Sequence, residues 1–421
     1  MLEAGDLLWA AVVILAYALL SERLSGTGFT MPIFLVTSGL LLGPRALGFV
    51  NVTLEGVPLE VIVEMTLALV LFTDAVRIDL KALRRDAAIP SRLLGMGLPL
   101  TIAAGTIAAA PLFPELTLPM MALLAATLAP TDAALGQAVI LDKSVPQRIR
   151  QGLNVESGLN DGLAVPVVVV LIEVVKAEAA SGPSRPFLVA MYEQIGFGLL
   201  AGATIGTTVG WLLLMAARSR SAEEAWRRIA VLITPVAAFV AADAMGGSGF
   251  IAAYTAGIAF GIARRDRSAA ATKLADEAGE LLNALTWFLF GAVLLSEVWT
   301  SITWQVVIYS LLSLTVVRMI PIVLAMLGTS ARPQTLAFLG WFGPRGLASI
   351  AFALIILDDH IAGGDALFTI ICGTVALSVY LHGATSAIGA RRYGAWFQTH
   401  PRRPAMEAQE VTEHRPRGSR G

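Results

Sequence analysis

Thirteen stretches of mostly apolar residues, separated by short polar connections, run the length of the chain. They lie near 7–24, 29–48, 57–76, 93–111, 116–142, 149–175, 187–217, 228–245, 248–263, 281–296, 302–327, 335–357 and 366–390. Most approach or exceed the roughly 20 residues that a helix needs to cross a bilayer. Inside a bilayer the backbone must satisfy its own hydrogen bonds, so each stretch is expected to be helical. The fold class expected is an all-α polytopic membrane protein of about thirteen transmembrane helices, filling residues 1–390. Beyond 390 the pattern stops. The segment "RRYGAWFQTHPRRPAMEAQEVTEHRPRGSRG", 391–421, is polar and rich in Pro and Arg, and reads as a short disordered cytoplasmic tail.

Two stretches carry helix breakers at their centres. The fifth contains "LAPTDAALG", where Pro130 removes a backbone donor and disfavours helix before it, while Thr131 and Asp132 supply oxygens. The twelfth contains "WFGPRGLAS", where Gly343, Pro344 and Gly346 bracket Arg345, so that this interruption is positive. Irregular backbone at membrane depth is tolerated only where protein buries it or where it lines a cavity. With the seventh stretch, 187–217, as a linker, residues 7–175 and 228–390 become two six-helix halves of inverted topology. The two discontinuous helices then occupy corresponding places, the sequence pointer to a secondary transporter's binding site.

Ionisable residues in such stretches are costly, about 2.5–3.5 kcal/mol each on insertion scales, and each is a functional candidate. The deepest are Asp74, Asp132, Glu156, Asp161, Arg318 and Arg345; Glu64, Glu173 and Asp243 lie nearer span ends, where snorkelling explains them. In "NVESGLNDG" of the sixth stretch, Glu156 shares one helix face with Asn160, and Ser157 shares another with Asp161, about 100° round. The second face offers a carboxylate beside a hydroxyl, oxygen ligands suited to a hard cation. Glu156 needs a partner for its charge, and Arg318 in "LTVVRMIPIVL" of the eleventh stretch is the candidate. Asp161 is then the exchangeable carboxylate. Asp74, in "LALVLFTDAVRIDL", either reaches a central cavity or pairs with Arg77 one turn on; both readings stand. The glycines of "GFGLLAGATIGTTVG" read as close helix packing.

Composition agrees with the pattern. Of 421 residues, 56 % are hydrophobic and only 14 % charged, with a mean hydropathy of +0.73. Ordinary soluble domains carry about a quarter charged residues. The net charge of −1 says little; the placing of Lys and Arg says more. Twenty-five of the 30 fall in alternate connections and the tail, three (Arg45, Lys176, Arg185) on the opposite side, and two (Arg318, Arg345) within spans. The positive-inside rule then puts the N-terminus outside and the C-terminus in the cytoplasm, in the cell (inner) membrane. The first helix opens with Glu3 and Asp6 rather than a basic region, which speaks against a cleavable signal peptide. The single cysteine, Cys372, excludes a disulfide framework. His360 and His382 have no companions at metal-ligand spacing, and His382 reads as a packed core residue. No cofactor, enzymatic centre or nucleic-acid partner is indicated; the bilayer is the implied surrounding.

"APTD", then "NVESGLNDG", an intramembrane Arg in the eleventh span and "GPRG" in the twelfth together resemble the sodium/proton exchanger superfamily, with the closest likeness to its prokaryotic NhaP-type antiporters. The likeness covers essentially the whole transmembrane region. It implies a thirteen-helix fold with a dimerisation part and a mobile core part, and hence a homodimer. It also implies that Asp161 is the shared cation and proton carrier, with Asn160 as its neighbour and Ser157 as a cation ligand. Thr131 and Asp132 match the Thr-Asp of the broken fifth helix, so that the expected cation- and proton-binding residues are Asp161, Asp132, Asn160, Thr131, Ser157 and Asp74, with Asp161, Ser157 and Thr131 holding the monovalent cation. Glu156 and Arg318 match the family's core ion pair, and Arg345 the basic residue of its broken twelfth helix. Two positions depart from the pattern: Ala133 stands where relatives commonly have Pro, and Thr73 where many have an acidic residue, with Asp74 following.

One carboxylate can hold a proton or a monovalent cation, and if the empty charged site does not cross, exchange is obligatory. A carboxylate removed from water holds its proton to higher pH, which lets protons compete. Asn160 is neutral where an electrogenic relative places a second Asp, so one-for-one, electroneutral exchange is expected. Three rivals fit less well. An intramembrane aspartyl protease leaves Glu156 and Arg318 unexplained and lacks the Gly-x-Gly-Asp motif. A channel would need filter segments that are not seen. A sodium-coupled symporter of a small organic anion, with Arg345 as the anion's partner, is the more serious alternative.

Overall fold

A computed structural model describes residues 4–24, 26–52, 59–78, 88–132, 135–179, 187–264, 269–361 and 363–400. These are helical throughout, without a strand among the described residues. In chain order the helices are α1 (Ala4–Leu24), α2 (Met31–Leu42), α3 (Leu59–Arg77), α4 (Ala88–Ala109), α5 (Leu118–Thr127), α6 (Gln137–Leu141), α7 (Gln147–Ala179), α8 (Phe187–Ser219), α9 (Glu224–Ala244) and α10 (Gly249–Arg264). Then come α11 (Ala269–Leu289, extended by a wider turn to Val298), α12 (Trp304–Leu314), α13 (Val316–Ala325), α14 (Pro333–Trp341), α15 (Leu347–Asp358) and α16 (Gly364–Thr399). Eight of these helical runs are long and apolar enough to cross a membrane, and four shorter ones are apolar as well. Every expected apolar stretch contains helix, and the protein is a polytopic all-α membrane protein.

Local chemistry explains many of the boundaries. Pro32, Pro119 and Pro333 sit in the first turns of α2, α5 and α14, where a missing amide hydrogen costs nothing. Both sequence-predicted interruptions are present: the chain leaves helix after Thr127 and after Trp341. Ala133, the departure noted beside the first break, lies outside the described residues, as do Lys81, Arg84, Arg85, Arg185, Arg265 and Arg267.

Two expectations need correction. The eleventh span is not one helix: Thr315 (φ −116°, ψ −93°) divides α12 from α13. The last helix does not stop at 390 but runs to Thr399. Its extension is polar in composition but has a buried face: the Tyr393 ring stacks on Phe338 at 4.1 Å, and the Arg332 guanidinium lies 4.1 Å over Trp396. Such a cation–π contact and aromatic stack hold a helical turn that hydropathy alone does not signal. The remainder of the expected tail, 401–421, lies outside the described residues.

The helices gather into two bundles. In one, α10 packs against α8, α3 and α9, and α11 against α2, α3 and α9; in the other, α4, α5, α7, α12, α13, α14, α15 and α16 pack among themselves. The first bundle is knit by glycines. Gly202 and Gly206 of α8 lie against the Ala252 and Ala256 carbonyls of α10, leaving no room for a Cβ, and Gly39 and Gly291 do the same between α2 and α11. The glycine-rich stretch of the seventh span thus serves close packing. Apolar side chains cover the outside: Leu15 and Leu19 of α1 are 62 % and 84 % exposed, as suits contact with lipid. The helix α7 stands where the bundles meet, touching α3, α8 and α10 on one side and α5, α6 and α15 on the other.

Candidate functional site

The two helix breaks lie against each other in the second bundle, and each supplies what the other lacks. The last carbonyls of a helix have no intrahelical partner, and the first amides likewise. At the end of α5, the Ser349 hydroxyl donates to the Thr127 carbonyl at 2.7 Å. The Arg345 guanidinium, fully buried, donates through Nη1 to the Ala129 and Pro130 carbonyls at 2.5 and 3.3 Å. Its Nη2 reaches the Ser313 carbonyl at 3.4 Å, just before the Thr315 interruption. In return, the Asp132 amide donates to the Pro344 carbonyl at 2.8 Å, and Asp132 Oδ2 accepts the Leu347 amide at 3.1 Å at the start of α15. Gly346 is required beside it, because a Cβ there would overlap the Asp132 carboxylate.

This arrangement presents Thr131 to α7. The Ser157 hydroxyl donates to the Thr131 carbonyl at 2.5 Å, and Asn160 Nδ2 donates to Thr131 Oγ1 at 2.7 Å. Asn160 is 1 % exposed, and its Oδ1 is buried with no hydrogen-bond partner. Asp161, the next residue on α7, is partly exposed. The other expected pair is also in place: Arg318 Nη1 lies 2.7 Å from Glu156 Oε1, with both side chains almost entirely buried. Gly343 gives the Arg318 guanidinium its space, since a Cβ at 343 would overlap it.

Of the two readings of Asp74, the pairing with Arg77 is present. Asp74 lies 3.6 Å from Arg77, but Arg77 holds Asp276 of α11 more closely, at 2.7 Å. The Asp74 side chain also lies against Gly158 of α7, where its Cβ would be 3.8 Å from an added one. Glu173, nearer a span end, is 3.8 Å from Lys176, whose closer partner is Asp359 at 2.7 Å.

Sequence reasoning missed Tyr254 of α10. Its ring packs directly on Gly162, where no side chain fits. The glycine following Asp161 was the available signal. The described residues include no group of three His, Cys, Asp or Glu placed to hold a metal ion. What the site offers instead is carboxylate, amide, hydroxyl and carbonyl oxygen, the donor set of a hard cation.

Residues 10–390 match the family described as sodium/hydrogen exchanger, transmembrane. A K(+)/H(+) antiporter, NhaP2, of Shewanella oneidensis is 25 % identical over 285 residues, covering 64 % of this chain and 46 % of its own. A Na(+)/H(+) antiporter of Schizosaccharomyces pombe is 25 % identical over 309 residues, covering 65 % of this chain and 64 % of its own. The chain thus spans less than two thirds of the length of these relatives. Among solved structures, the sodium proton antiporter MjNhaP1 from Methanocaldococcus jannaschii superposes with a TM-score of 0.67 at 18 % identity, over 92 % of this chain and 97 % of that one. With the family matched over residues 10–390, the chain belongs to the sodium/hydrogen exchangers, a family of membrane cation/proton antiporters and not of enzymes.

Proposed function

We propose that this protein is a secondary active antiporter that exchanges a monovalent cation, Na+, Li+ or K+, for H+ by alternating access, with Asp161 as the shared carrier. The observation that carries the reading is the seating of Thr131. Ser157 and Asn160, each within one turn of Asp161, hold this residue of the broken helix by hydrogen bonds. The cation's ligands are then Asp161, Ser157 and Thr131, with the unengaged Asn160 oxygen beside them. Asp132 and Arg345 keep the breaks closed, and Glu156 with Arg318 is structural. Asp74 acts from the opposite bundle as an outer carboxylate.

The stoichiometry is one cation for one proton, because Asn160 adds no charge that titrates with the carrier. The two bundles move relative to each other, each drawing helices from both of the inverted six-helix repeats that α8 joins, with the N-terminus outside and the C-terminus in the cytoplasm of the inner membrane. The working unit is a homodimer. The symporter alternative loses support, since Arg345 directs its guanidinium at three backbone carbonyls and is closed to solvent.

The test uses everted membrane vesicles with an acid interior, followed by a pH-sensitive dye. Sodium, lithium and potassium are added in turn to vesicles holding the wild type or Asp161→Asn. Cation-driven proton efflux that vanishes in the variant supports the reading and names the ion. No response to any ion in the wild type overturns it.

A further inference from the structure

The last helix crosses behind the second break, and two of its side chains reach the break's two lips. His382 of α16 is 1 % exposed. Its Nε2 donates to the Trp341 carbonyl at 2.9 Å, at the very end of α14. Its Nδ1 lies 3.2 Å from the Ser378 hydroxyl, one turn earlier on the same helix, and 3.2 Å from the Ser378 carbonyl. The Ser378 oxygen in turn accepts the Arg345 amide at 2.7 Å, two residues before α15 begins. An imidazole that donates through Nε2 accepts through Nδ1 when neutral, and the Ser378 proton has that nitrogen as its partner. The tautomer follows from these partners.

The result is a strut between the two halves of one broken helix, running from the Trp341 carbonyl through His382 and Ser378 to the Arg345 amide. The Trp341 ring adds a second attachment: it tilts over the imidazole at 5.2 Å between centroids, and its Nε1 donates to Thr385 Oγ1 at 3.0 Å. The strut fixes more than the break it spans. Arg345 is held by its backbone at Ser378 and grips the Ala129 and Pro130 carbonyls with its side chain. Those carbonyls immediately precede Thr131.

We infer that His382 and Ser378 are positioning residues for the cation site: they set the gap between the lips of the second break and, through Arg345, the place of Thr131. This rests on the antiport reading above. Neither residue touches the cation, so the strut changes how well the site is formed and not which group carries the proton.

The experiment compares wild type, His382→Ala, Ser378→Ala, His382→Gln and the double alanine variant in the vesicle assay, with Asp161→Asn as the inactive control. Each alanine variant raises the half-saturating cation concentration by about fivefold or more, the scale of one lost hydrogen bond, at a maximal rate close to wild type. The double variant is no worse than the worse single one, because both cut the same strut. His382→Gln, which keeps a donor and an acceptor, returns the value toward wild type. Amide hydrogen exchange at Asp132 and Arg345, read without any cation, speeds up in both alanine variants. Folded alanine variants with unchanged half-saturation and unchanged exchange at Asp132 overturn the inference. If His382→Ala does not fold, Ser378→Ala, which removes a single oxygen, decides. A wild type inert to every cation sinks the antiport reading instead, and the amide exchange at Asp132 then judges the strut alone.

Discussion

Asp132 and Arg345 each close the helix end beside the other's break. The Asp132 carboxylate accepts the Leu347 amide at the positive end of α15, and the Arg345 guanidinium donates to the carbonyls that follow the negative end of α5. Each charge is opposite in sign to the helix end that it faces. Two opposite charges are thus stored in a bilayer without either requiring water.

The caps differ in what they cost when removed. Arg345→Ala strips donors from the buried Ala129, Pro130 and Ser313 carbonyls, and is expected to destabilise the protein by about 3 kcal/mol or more. Arg345→Lys recovers little of this, because a single ammonium does not reproduce the guanidinium's fork. Asp132→Asn keeps an oxygen for the Leu347 amide and loses only the charge, an effect of about 0.3–1 kcal/mol. Thermal unfolding in detergent checks the order: Arg345→Ala least stable, Asp132→Asn nearest wild type.

Glu156 and Arg318 behave as a unit. Removing either partner alone leaves an uncompensated buried charge and costs about 3–5 kcal/mol. Replacing both, as Glu156→Leu with Arg318→Met, is expected to be more stable than either single change. A double variant less stable than both singles would contradict the structural role given to the pair.

On the proposed mechanism Asp161 and Asp74 have separable roles. Asp161→Asn abolishes exchange for every cation. Asp74→Asn keeps the carrier, and raises the half-saturating cation concentration several-fold while the maximal rate survives. Rates measured over a series of cation concentrations separate the two patterns; equal loss of maximal rate in both would make Asp74 a second carrier.

Charge balance gives a further prediction at Asn160. Wild-type exchange is expected to generate no current and to be indifferent to membrane potential. Asn160→Asp adds a carboxylate beside the carrier, and transport in that variant is expected to become sensitive to potential. Solid-supported membrane currents on reconstituted protein read this directly, and a sizeable wild-type current removes the electroneutral assignment.

What the sequence made legible was what is encoded locally. Pro130 and the Gly343-Pro344-Arg345-Gly346 run interrupt their helices by intrinsic conformational preference, and both breaks are where they were expected. The Glu156–Arg318 pair was legible for another reason, because two buried opposite charges leave each other few alternatives. The partners of Arg345 were not legible: Ala129 is 216 residues away, and any backbone carbonyl looks alike in a sequence. The interruption at Thr315 carries no proline or glycine of its own and went unseen. The last turns of α16 were hidden by their polar composition, although Tyr393 and Trp396 recur at a helical interval.

The glycines of α8 have a mechanical meaning. Gly202 and Gly206 bring their helix so close to the Ala252 and Ala256 carbonyls that a slip of one residue would drive side chains into backbone. That joint is a weld. Where α10 meets α7, by contrast, the flat ring of Tyr254 rests on the bare surface of Gly162. On the proposed mechanism that joint is a bearing, with the proposed carrier Asp161 mounted one residue from it.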